Sequence, residues 1–308
     1  MEGKITKFFY DPENIEFKHH QLLKDTKNIP QCLKVDKTKN ALEIEYIEGV
    51  DLDDLFERYH YFHEFGNLGY HFNAAFTYVY CYDLLNAVEE LAHKNLHHRD
   101  IHQKNVRISL ENKAYLLDMG ITTTSRTDTH PLNRSCGGNN DLISIGQLAY
   151  KMRTGKNPFE PKSKSNRSNR WNIPWNHRHR VPELTSNQRK NNIQERRNRV
   201  YHNGHVNPNI LREVRTVIKK DSITDYTKKT KEPNEKFLID IICNLLDRDI
   251  TTQPDLKEIQ ETKKMYLSYL GDVIQYIRSE NLNSKVLDTR IPKIAQENSL
   301  EHLLDSCA

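Results

Sequence analysis

The chain has 308 residues, 29% of them charged, and a formal net charge of +4, and this length can bury the core of one large domain or of two lobes. No apolar run approaches the roughly 18 residues that cross a bilayer, and residues 1–4 lack the apolar segment of a signal peptide. We therefore expect a cytoplasmic protein, or one of the host cytoplasm if the gene is viral. The five cysteines are widely spaced and form no C-x-x-C pair, which argues against a disulfide framework or a zinc site.

The first fifty residues predict a small sheet and one helix. Residues 4–9 are rich in β-branched and aromatic types, residues 33–35 suggest a second strand, and apolar residues alternate over 42–46 as in a half-buried strand. Residues 16–24 have a short, weakly amphipathic helical pattern. Gly49 is predicted to end the last strand, and a helix with acidic residues in its first turn is predicted to begin at Asp51.

The rest of the chain predicts a mainly helical unit. Apolar residues recur at helical spacing over 74–94, 141–153, 235–246 and 254–270. A hairpin is predicted from 106–108 and 114–117, and Gly155 with Pro158 forms a stop signal after the second helix. Polar, helical segments are expected in the last forty or so residues.

Basic residues are concentrated in one long segment. Between Lys162 and Glu232 there are 18 Lys and Arg residues and 6 Asp and Glu residues, so this segment carries +12 and the rest of the chain −8. The segment lacks sustained hydrophobic periodicity and is rich in Asn, Ser and His. This composition predicts a long polar insert over about 160–232, with one helix near 210–220.

Three polar residues form a candidate site for phosphate and metal. Asp100 lies in residues 96–105, which we call the central loop, Asn105 ends that loop, and Asp118 comes directly after the predicted hairpin. Phosphoryl transfer needs an acceptor held in line, cations on the phosphate oxygens, and a carboxylate that takes the acceptor's proton. Asp100 is the candidate for that carboxylate, while Asn105 and Asp118 offer hard oxygen ligands suited to Mg²⁺.

These residues and their neighbours resemble the C-terminal lobe of the eukaryotic-type protein kinase family. The matching segments, in family order, are Glu45–Leu52 (the hinge between lobes), His98-Arg99-Asp100 with Asn105 (H-R-D-x-x-x-x-N), Asp118-Met119-Gly120 (D-F-G), Asp141–Gly146 (the start of the central helix) and Thr154–Phe159 (the segment after that helix). The resemblance implies an α+β, protein-kinase-like fold. It would have a reduced N-terminal β lobe with the hinge at 1–47, a mainly helical C-lobe at 48–270 that carries the basic insert, and a helical tail at 271–308.

The resemblance also implies that ATP and Mg²⁺ are used, with Asp100 as base and with Asn105 and Asp118 on the metal. The backbone from Glu45 to Ile47 would receive an adenine edge. Asp51 has two interpretations of similar weight, as a partner of a ribose hydroxyl and as a helix N-cap. His98 and Met119 would pack in the hydrophobic spine, and Asp141 would brace the central loop from below.

The sequence departs from the family pattern mainly at the residues that would cover or contact the phosphates. No G-x-G-x-x-G occurs, and Lys7, in the strand of residues 5–8, is the candidate phosphate lysine. The family's partner glutamate falls on His19, so Glu16, one turn earlier, is the candidate substitute. His102 replaces the family lysine two residues after the catalytic Asp, giving the D-x-H of small-molecule phosphotransferases, and a histidine there can donate to phosphate in a pH-dependent way.

The segment after Asp118 is also short and contains no A-P-E, the platform on which the family docks peptides. Its hydroxyls are candidates for self-phosphorylation, although an ordinary polar loop is the favoured interpretation. They belong to Thr122, Thr123, Thr124, Ser125, Thr127 and Thr129.

Three functions are compatible with this pattern. The first is ATP- and Mg²⁺-dependent phosphoryl transfer to Ser or Thr hydroxyls of a protein substrate by a divergent protein kinase. The second is a pseudokinase or kinase mimic that binds a protein or a nucleic acid without chemistry, and the third, weaker one is a small-molecule phosphotransferase.

The basic insert also has more than one interpretation. A solvated insertion is the commonest role of a charge run, and binding of nucleic acid or of an acidic partner is the alternative. The residues that would carry that binding are Arg189, Lys190, Arg196, Arg197 and Arg199.

Overall fold

A computed structural model of the chain describes residues 3–10, 14–56, 74–111, 113–126, 140–155, 157–159, 201–202, 205–225, 235–249 and 252–279. Within these ranges, small antiparallel sheets are combined with long helices, an arrangement compatible with the predicted α+β class. Thr127, Thr129 and the five basic residues named for the insert lie outside the described residues.

The first sheet contains β1 (Lys4–Phe8), β2 (Cys32–Asp36) and β3 (Ala41–Glu45), in the order β1-β3-β2 with all pairs antiparallel. Helix α1 (Ile15–Leu22) packs against it, because Phe17 of α1 contacts the buried Leu42 and Ile44 of β3. Residues two apart in a strand share a face, which explains the alternation seen in the sequence of β3. The predicted strands and helix are confirmed, with ends shifted by one or two residues.

The second sheet contains β4 (Gly49–Asp51), β5 (Val106–Ser109) and β6 (Ala114–Leu116), in the order β4-β5-β6. The hairpin of β5 and β6 is as predicted. The role predicted for Gly49 is wrong, because this residue begins β4 and β3 has already ended at Glu45. A Cβ atom at Gly49 would lie 2.0 Å from the Ile108 carbonyl oxygen, so the close approach of β4 to β5 requires glycine. Residues 52–56 are helical, as expected after Asp51.

Asn28, in the connection between α1 and β2, joins the two sheets. Its Nδ2 donates to the Ala114 carbonyl at 3.0 Å, and its own carbonyl accepts from the Leu116 N–H at 2.8 Å. Asn28 adopts a φ of 59°, a left-handed conformation that asparagine tolerates better than most residues. The N-terminal sheet is therefore attached to the rest of the molecule at β6 as well as along the chain.

The long helices are α2 (Ala74–His93), α3 (Asp141–Thr154), α4 (Pro208–Asp225), α5 (Glu235–Leu246) and α6 (Leu256–Ser279). Helix α3 packs against α2 and α5, and α2 also packs against α6 and β6. The aromatic rings of Tyr78 and Tyr266 meet edge to face at 5.6 Å where α2 contacts α6. The periodicity that predicted α2, α3, α5 and α6 is confirmed, and α6 runs past the predicted end at residue 270.

Helix α3 has clear start and stop signals and one close contact. The Asn140 side chain accepts from the N–H groups of Leu142 and Ile143, and Gly155 ends the helix at a φ of 67°. A Cβ atom at Gly146 would lie 2.8 Å from Leu245 Cβ, so glycine lets α3 and α5 approach closely. This contact accounts physically for the glycine in the Asp141–Gly146 motif.

Helix α4 is the helix predicted near 210–220, and it is longer at both ends. Leu211 and Val214 are buried in the main core, and α4 packs against α5 and α3. A short two-stranded ladder of Tyr201–His202 and His205–Val206 precedes it. The end of the basic segment therefore contributes to the core.

Among the described residues, no helix is long and apolar enough to cross a membrane. Cys32, Cys81 and Cys243 have free thiols, as the spacing predicts, and Cys136 and Cys307 lie outside the described residues.

Candidate active site

The central loop is held from below by Asp141, the first residue of α3. Asp141 Oδ2 accepts from the His98 N–H at 2.9 Å, and Oδ1 accepts from the Arg99 N–H at 2.8 Å. Burial raises the pKa of the Asp141 carboxyl to about 6, although the two N–H donors lower it. Asp141 N–H donates to Gln253 Oε1 at 3.1 Å, so the segment just before α6 also helps to fix this brace. The contact between Asp141 and the loop is the one that the resemblance implies.

His98 is fully buried and connects the loop to Asp118. Its Nδ1 accepts from the Asp100 N–H at 3.2 Å, so the ring proton lies on Nε2 and is donated to the Leu117 carbonyl at 2.9 Å. Burial lowers the pKa of His98, which keeps the ring neutral and this tautomer in place. Met119 is also fully buried, in agreement with the packing roles implied for both residues.

Asp100 is held by two neighbours of the central loop. His102 Nδ1 accepts from the Lys104 N–H, so Nε2 carries the proton and faces Asp100 Oδ2 at 3.3 Å. Asn105 Nδ2 lies 3.3 Å from the same oxygen and also donates to the Asp100 carbonyl at 3.0 Å. The hydrogen bond from His102 lowers the pKa of Asp100 more than partial burial raises it. Both contacts fall on Oδ2, which leaves Oδ1 for the proton of an acceptor hydroxyl.

Asn105 and Asp118 are brought together through the backbone, because the Leu117 N–H donates to the Asn105 carbonyl at 2.8 Å. Asn105 uses its amide nitrogen on Asp100, so its amide oxygen is the atom available to a cation. Within the described ranges, no group of three or more His, Cys, Asp or Glu side chains could hold a metal. One amide oxygen and one carboxylate fit Mg²⁺ that is also bound by phosphate oxygens and water, which is the usual way in which proteins hold this ion.

Two residues of the site have left-handed backbone conformations that non-glycine residues rarely adopt. The φ angles are 70° at Arg99 and 63° at Asp118. Such conformations persist only when surrounding contacts enforce them, and they are common at functional sites. Here the hydrogen bond that Arg99 N–H donates to Asp141 helps to enforce the first, and the one that Gly120 N–H donates to Asp118 Oδ1 accompanies the second.

Lys7 connects the first sheet to this site. Its Nζ lies 2.7 Å from Glu16 Oε1 on α1 and 3.8 Å from Asp118 Oδ1. Burial alone would raise the pKa of Glu16, but hydrogen bonds from His20 and Lys7 outweigh it and lower the pKa. The structure thus brings Lys7, Glu16 and Asp118 together, and Glu16 is the candidate substitute for the family glutamate.

His19, the residue at the family's glutamate position, lies against the backbone of Met119 instead. Burial lowers its pKa, and the neighbouring His20 lowers it further. Glu16 and His19 are both buried and lie one turn apart, so they share a face of α1. That shared face explains how an acid three residues earlier reaches the lysine.

The predicted nucleoside end of the site is already hydrogen-bonded. The N–H groups of Glu45 and Tyr46 donate to the carbonyls of Gln31 and Gly3. Asp51 Oδ1 accepts from Arg107 Nη1 at 2.7 Å, and the Ile47 carbonyl accepts from Arg107 Nε at 2.6 Å. Sequence reasoning missed Arg107, although it is a lone charged residue between the apolar Val106 and Ile108 of a predicted strand.

The segment after Asp118 is anchored at two points. His97 and Thr123 exchange both backbone N–H···O bonds, at 2.8 and 3.0 Å. Arg126 then donates to the Gln253 carbonyl through Nε and Nη2, at 3.2 and 3.0 Å. The central loop, this segment and the residues just before α6 therefore form one connected set of contacts.

No family model matches this chain. An Aurora kinase from Eremothecium gossypii is 28% identical over 109 residues, which cover 30% of this chain and 30% of that protein. The serine/threonine-protein kinase AtPK2/AtPK19 of Arabidopsis thaliana is 29% identical over 97 residues, covering 26% of this chain and 20% of the relative. The chain thus spans less than a third of either relative's length. These partial similarities, added to the geometry of the site, support a distant protein-kinase-like relationship.

Proposed function

We propose that this protein has a protein-kinase-like fold and transfers the γ-phosphoryl group of ATP, with Mg²⁺, to a Ser or Thr hydroxyl of a protein. The observation that best supports the proposal is the set of contacts that Lys7 makes. A lysine from the first sheet lies between a buried glutamate and Asp118, whose neighbour Leu117 is hydrogen-bonded to Asn105 of the central loop. A lysine that lies beside two acids, one of them a candidate metal ligand, is placed to contact phosphate oxygens.

Each side chain would have one task in the transfer. Asp100 Oδ1 would orient the acceptor hydroxyl and take its proton, while His102 and Asn105 keep the carboxylate ionised and in place. Asn105 and Asp118 would hold Mg²⁺, which neutralises charge on the phosphate oxygens. Lys7 would contact the phosphates, and Glu16 would hold the lysine in position. The serine/threonine preference rests on the partial similarity to kinases, one of which is named for that specificity.

Transfer of labelled γ-phosphate tests the proposal. The parent protein is incubated with MgATP and a broad set of protein substrates, beside Asp100→Asn and the control Asp247→Asn, which alters the acid that directly follows α5. We expect transfer by the parent and the control, and a loss of about a hundredfold or more in Asp100→Asn. The enzyme proposal fails if the parent transfers no phosphate to protein, to itself or to small molecules.

A second candidate function is a kinase mimic that binds a partner without chemistry. The specific observation in its favour is that Arg107 already occupies the acceptors of the nucleoside end. A parent protein that binds its partner equally well with Asp100→Asn, and shows no transfer, would favour it. Phosphorylation of small metabolites but not of proteins would instead favour a small-molecule phosphotransferase. The Asp100-Ile101-His102 sequence resembles the D-x-H motif of those enzymes.

A further inference from the structure

Arg107 contacts four groups of one short segment. It lies on β5 directly opposite Asp51 of β4, so the two side chains share a face of the second sheet. Its guanidinium donates to the Ile47 carbonyl, to Asp51 Oδ1, to the Gly49 carbonyl at 2.9 Å and to the Tyr46 hydroxyl at 3.1 Å. The Arg107 Cζ also lies 5.2 Å from the centroid of the Tyr46 ring. Only 19% of the Arg107 side chain is exposed, so the guanidinium is fixed in this position by its contacts.

The groups that Arg107 contacts include those that a nucleoside needs. An exocyclic amino group of a base donates to a backbone carbonyl, and a ribose hydroxyl donates to a carboxylate. Both kinds of acceptor, the Ile47 carbonyl and Asp51, already receive a charged donor. Charge-assisted hydrogen bonds are stronger than neutral ones, so a neutral nucleoside is at a disadvantage in competition with the guanidinium.

We infer that Arg107 weakens recognition of the nucleoside, and so lowers the specificity of the site among nucleotides, by competing with the nucleoside for the Ile47 carbonyl and Asp51. The inference rests on the proposed function, because it assigns the nucleotide to this site. It follows that the site binds a nucleotide chiefly through the triphosphate, where Lys7 and the metal ligands lie. It also follows that the site distinguishes poorly between adenine and guanine nucleotides, because the Ile47 carbonyl, an acceptor that would read the base, is occupied.

Calorimetric titration in the presence of Mg²⁺ tests the inference. The probes are adenosine, ATP, GTP and inorganic tripolyphosphate, and the variant is Arg107→Met, which keeps an apolar stem and removes every donor. The matched control is Arg248→Met. Arg248 also forms a 2.7 Å ion pair, with Glu258, and its side chain is also 19% exposed, but it lies between α5 and α6. Thermal unfolding of each variant shows whether it is folded.

We expect Arg107→Met to bind adenosine and ATP about tenfold or more tightly than the parent, and to prefer ATP over GTP. Tripolyphosphate should bind parent and variant within about twofold, and Arg248→Met should match the parent with every probe. Arg107→Lys keeps the charge but presents fewer donors, so it should fall between parent and Arg107→Met; it serves as the deciding variant if the methionine variant does not fold.

Three results would overturn the inference. These are equal adenosine binding by parent and Arg107→Met, weaker binding by the variant, and no binding of any nucleoside or nucleotide by either protein. The last result would also remove ATP from the proposed function. Tighter nucleoside binding by Arg107→Met without phosphoryl transfer by any variant would uphold the inference while rejecting the enzyme proposal.

Discussion

Lys7 Nζ lies 2.7 Å from Glu16 Oε1, and this pair connects the first sheet, helix α1 and the acid Asp118. The neighbouring His19, on the same buried face of α1, makes a matched comparison. We expect Glu16→Gln to lower phosphoryl transfer roughly tenfold, because a neutral amide in place of the carboxylate weakens a charge-assisted bond of about 1.5–3 kcal/mol to the lysine. His19→Gln should lower it much less. Initial rates at saturating and subsaturating ATP check this, and equal losses in both variants would contradict the role of Glu16.

His102 should control the pH at which Asp100 can act. Its hydrogen bond lowers the pKa of Asp100, so removing it raises that pKa and protonates the base at a higher pH. We expect the acid limb of the pH profile of kcat/KM to move to higher pH in His102→Ser. Serine can still cap the Lys104 N–H but does not reach Asp100. A uniform loss at every pH would mean that His102 acts only on loop structure, and His102→Lys should move the limb back.

The Asp141 brace should affect both stability and activity. Asp141→Ala leaves the buried N–H groups of His98 and Arg99 without an acceptor, and we expect it to cost about 2 kcal/mol or more of unfolding free energy. Asp83→Ala is the matched control, since Asp83 is also fully buried and accepts from the Ala114 N–H at 2.8 Å. Urea unfolding measures the effect of each variant on stability. Transfer rates at a temperature where both variants are folded measure the effect on activity. At that temperature, only Asp141→Ala should transfer phosphate more slowly than the parent.

His97 should make the fold sensitive to mild acid. Burial, with Arg126 and Arg99 nearby, lowers its pKa from 6.5 to about 4, so between these values the unfolded chain binds the proton and the folded chain does not. Stability is therefore complete above pH 6.5 and is lost as the pH falls toward 4. From pH 7.5 to pH 5 this residue should account for about 2 kcal/mol. Urea unfolding of the parent and of His97→Asn at both values checks it, and an unchanged pH dependence in the variant would contradict it.

The basic insert should bind polyanions in a salt-dependent way. Phosphate contacts release counterions, so affinity for a nucleic acid falls steeply as salt rises. We expect fluorescence anisotropy with a labelled single-stranded oligonucleotide to show binding that disappears when Arg189, Lys190, Arg196, Arg197 and Arg199 are changed to Gln. Binding that is equal at low and moderately raised salt would exclude this role and favour a solvated insertion.

The sequence predicts much of this arrangement because its strongest signals are local. Long apolar stripes identify α2, α3, α5 and α6, and the spacing of Asp100, Asn105 and Asp118 predicts a candidate site whose residues lie near one another in the structure. Strand β4 is missed because three residues show no usable alternation and its partner β5 lies far along the chain. Arg107 is missed for the same reason, since its role depends on pairing with Asp51. Glu16 is found only as a candidate, because helical geometry allows two residues on one face to serve the lysine.

Asn28 gives the molecule a second attachment between its two sheets, in addition to the chain that runs from β3 into β4. Two parts joined at a single point can swing apart in any direction. The motion that breaks neither of these two attachments is a rotation about the line through both, and the contacts of Lys7 with Asp118 and of His19 with Met119 oppose that rotation. Lys7 on one part and Asp118 on the other would then change their separation by a twist of the first sheet over the second, and an Asn28 variant that lacks the side-chain bond would allow a wider range of relative orientations.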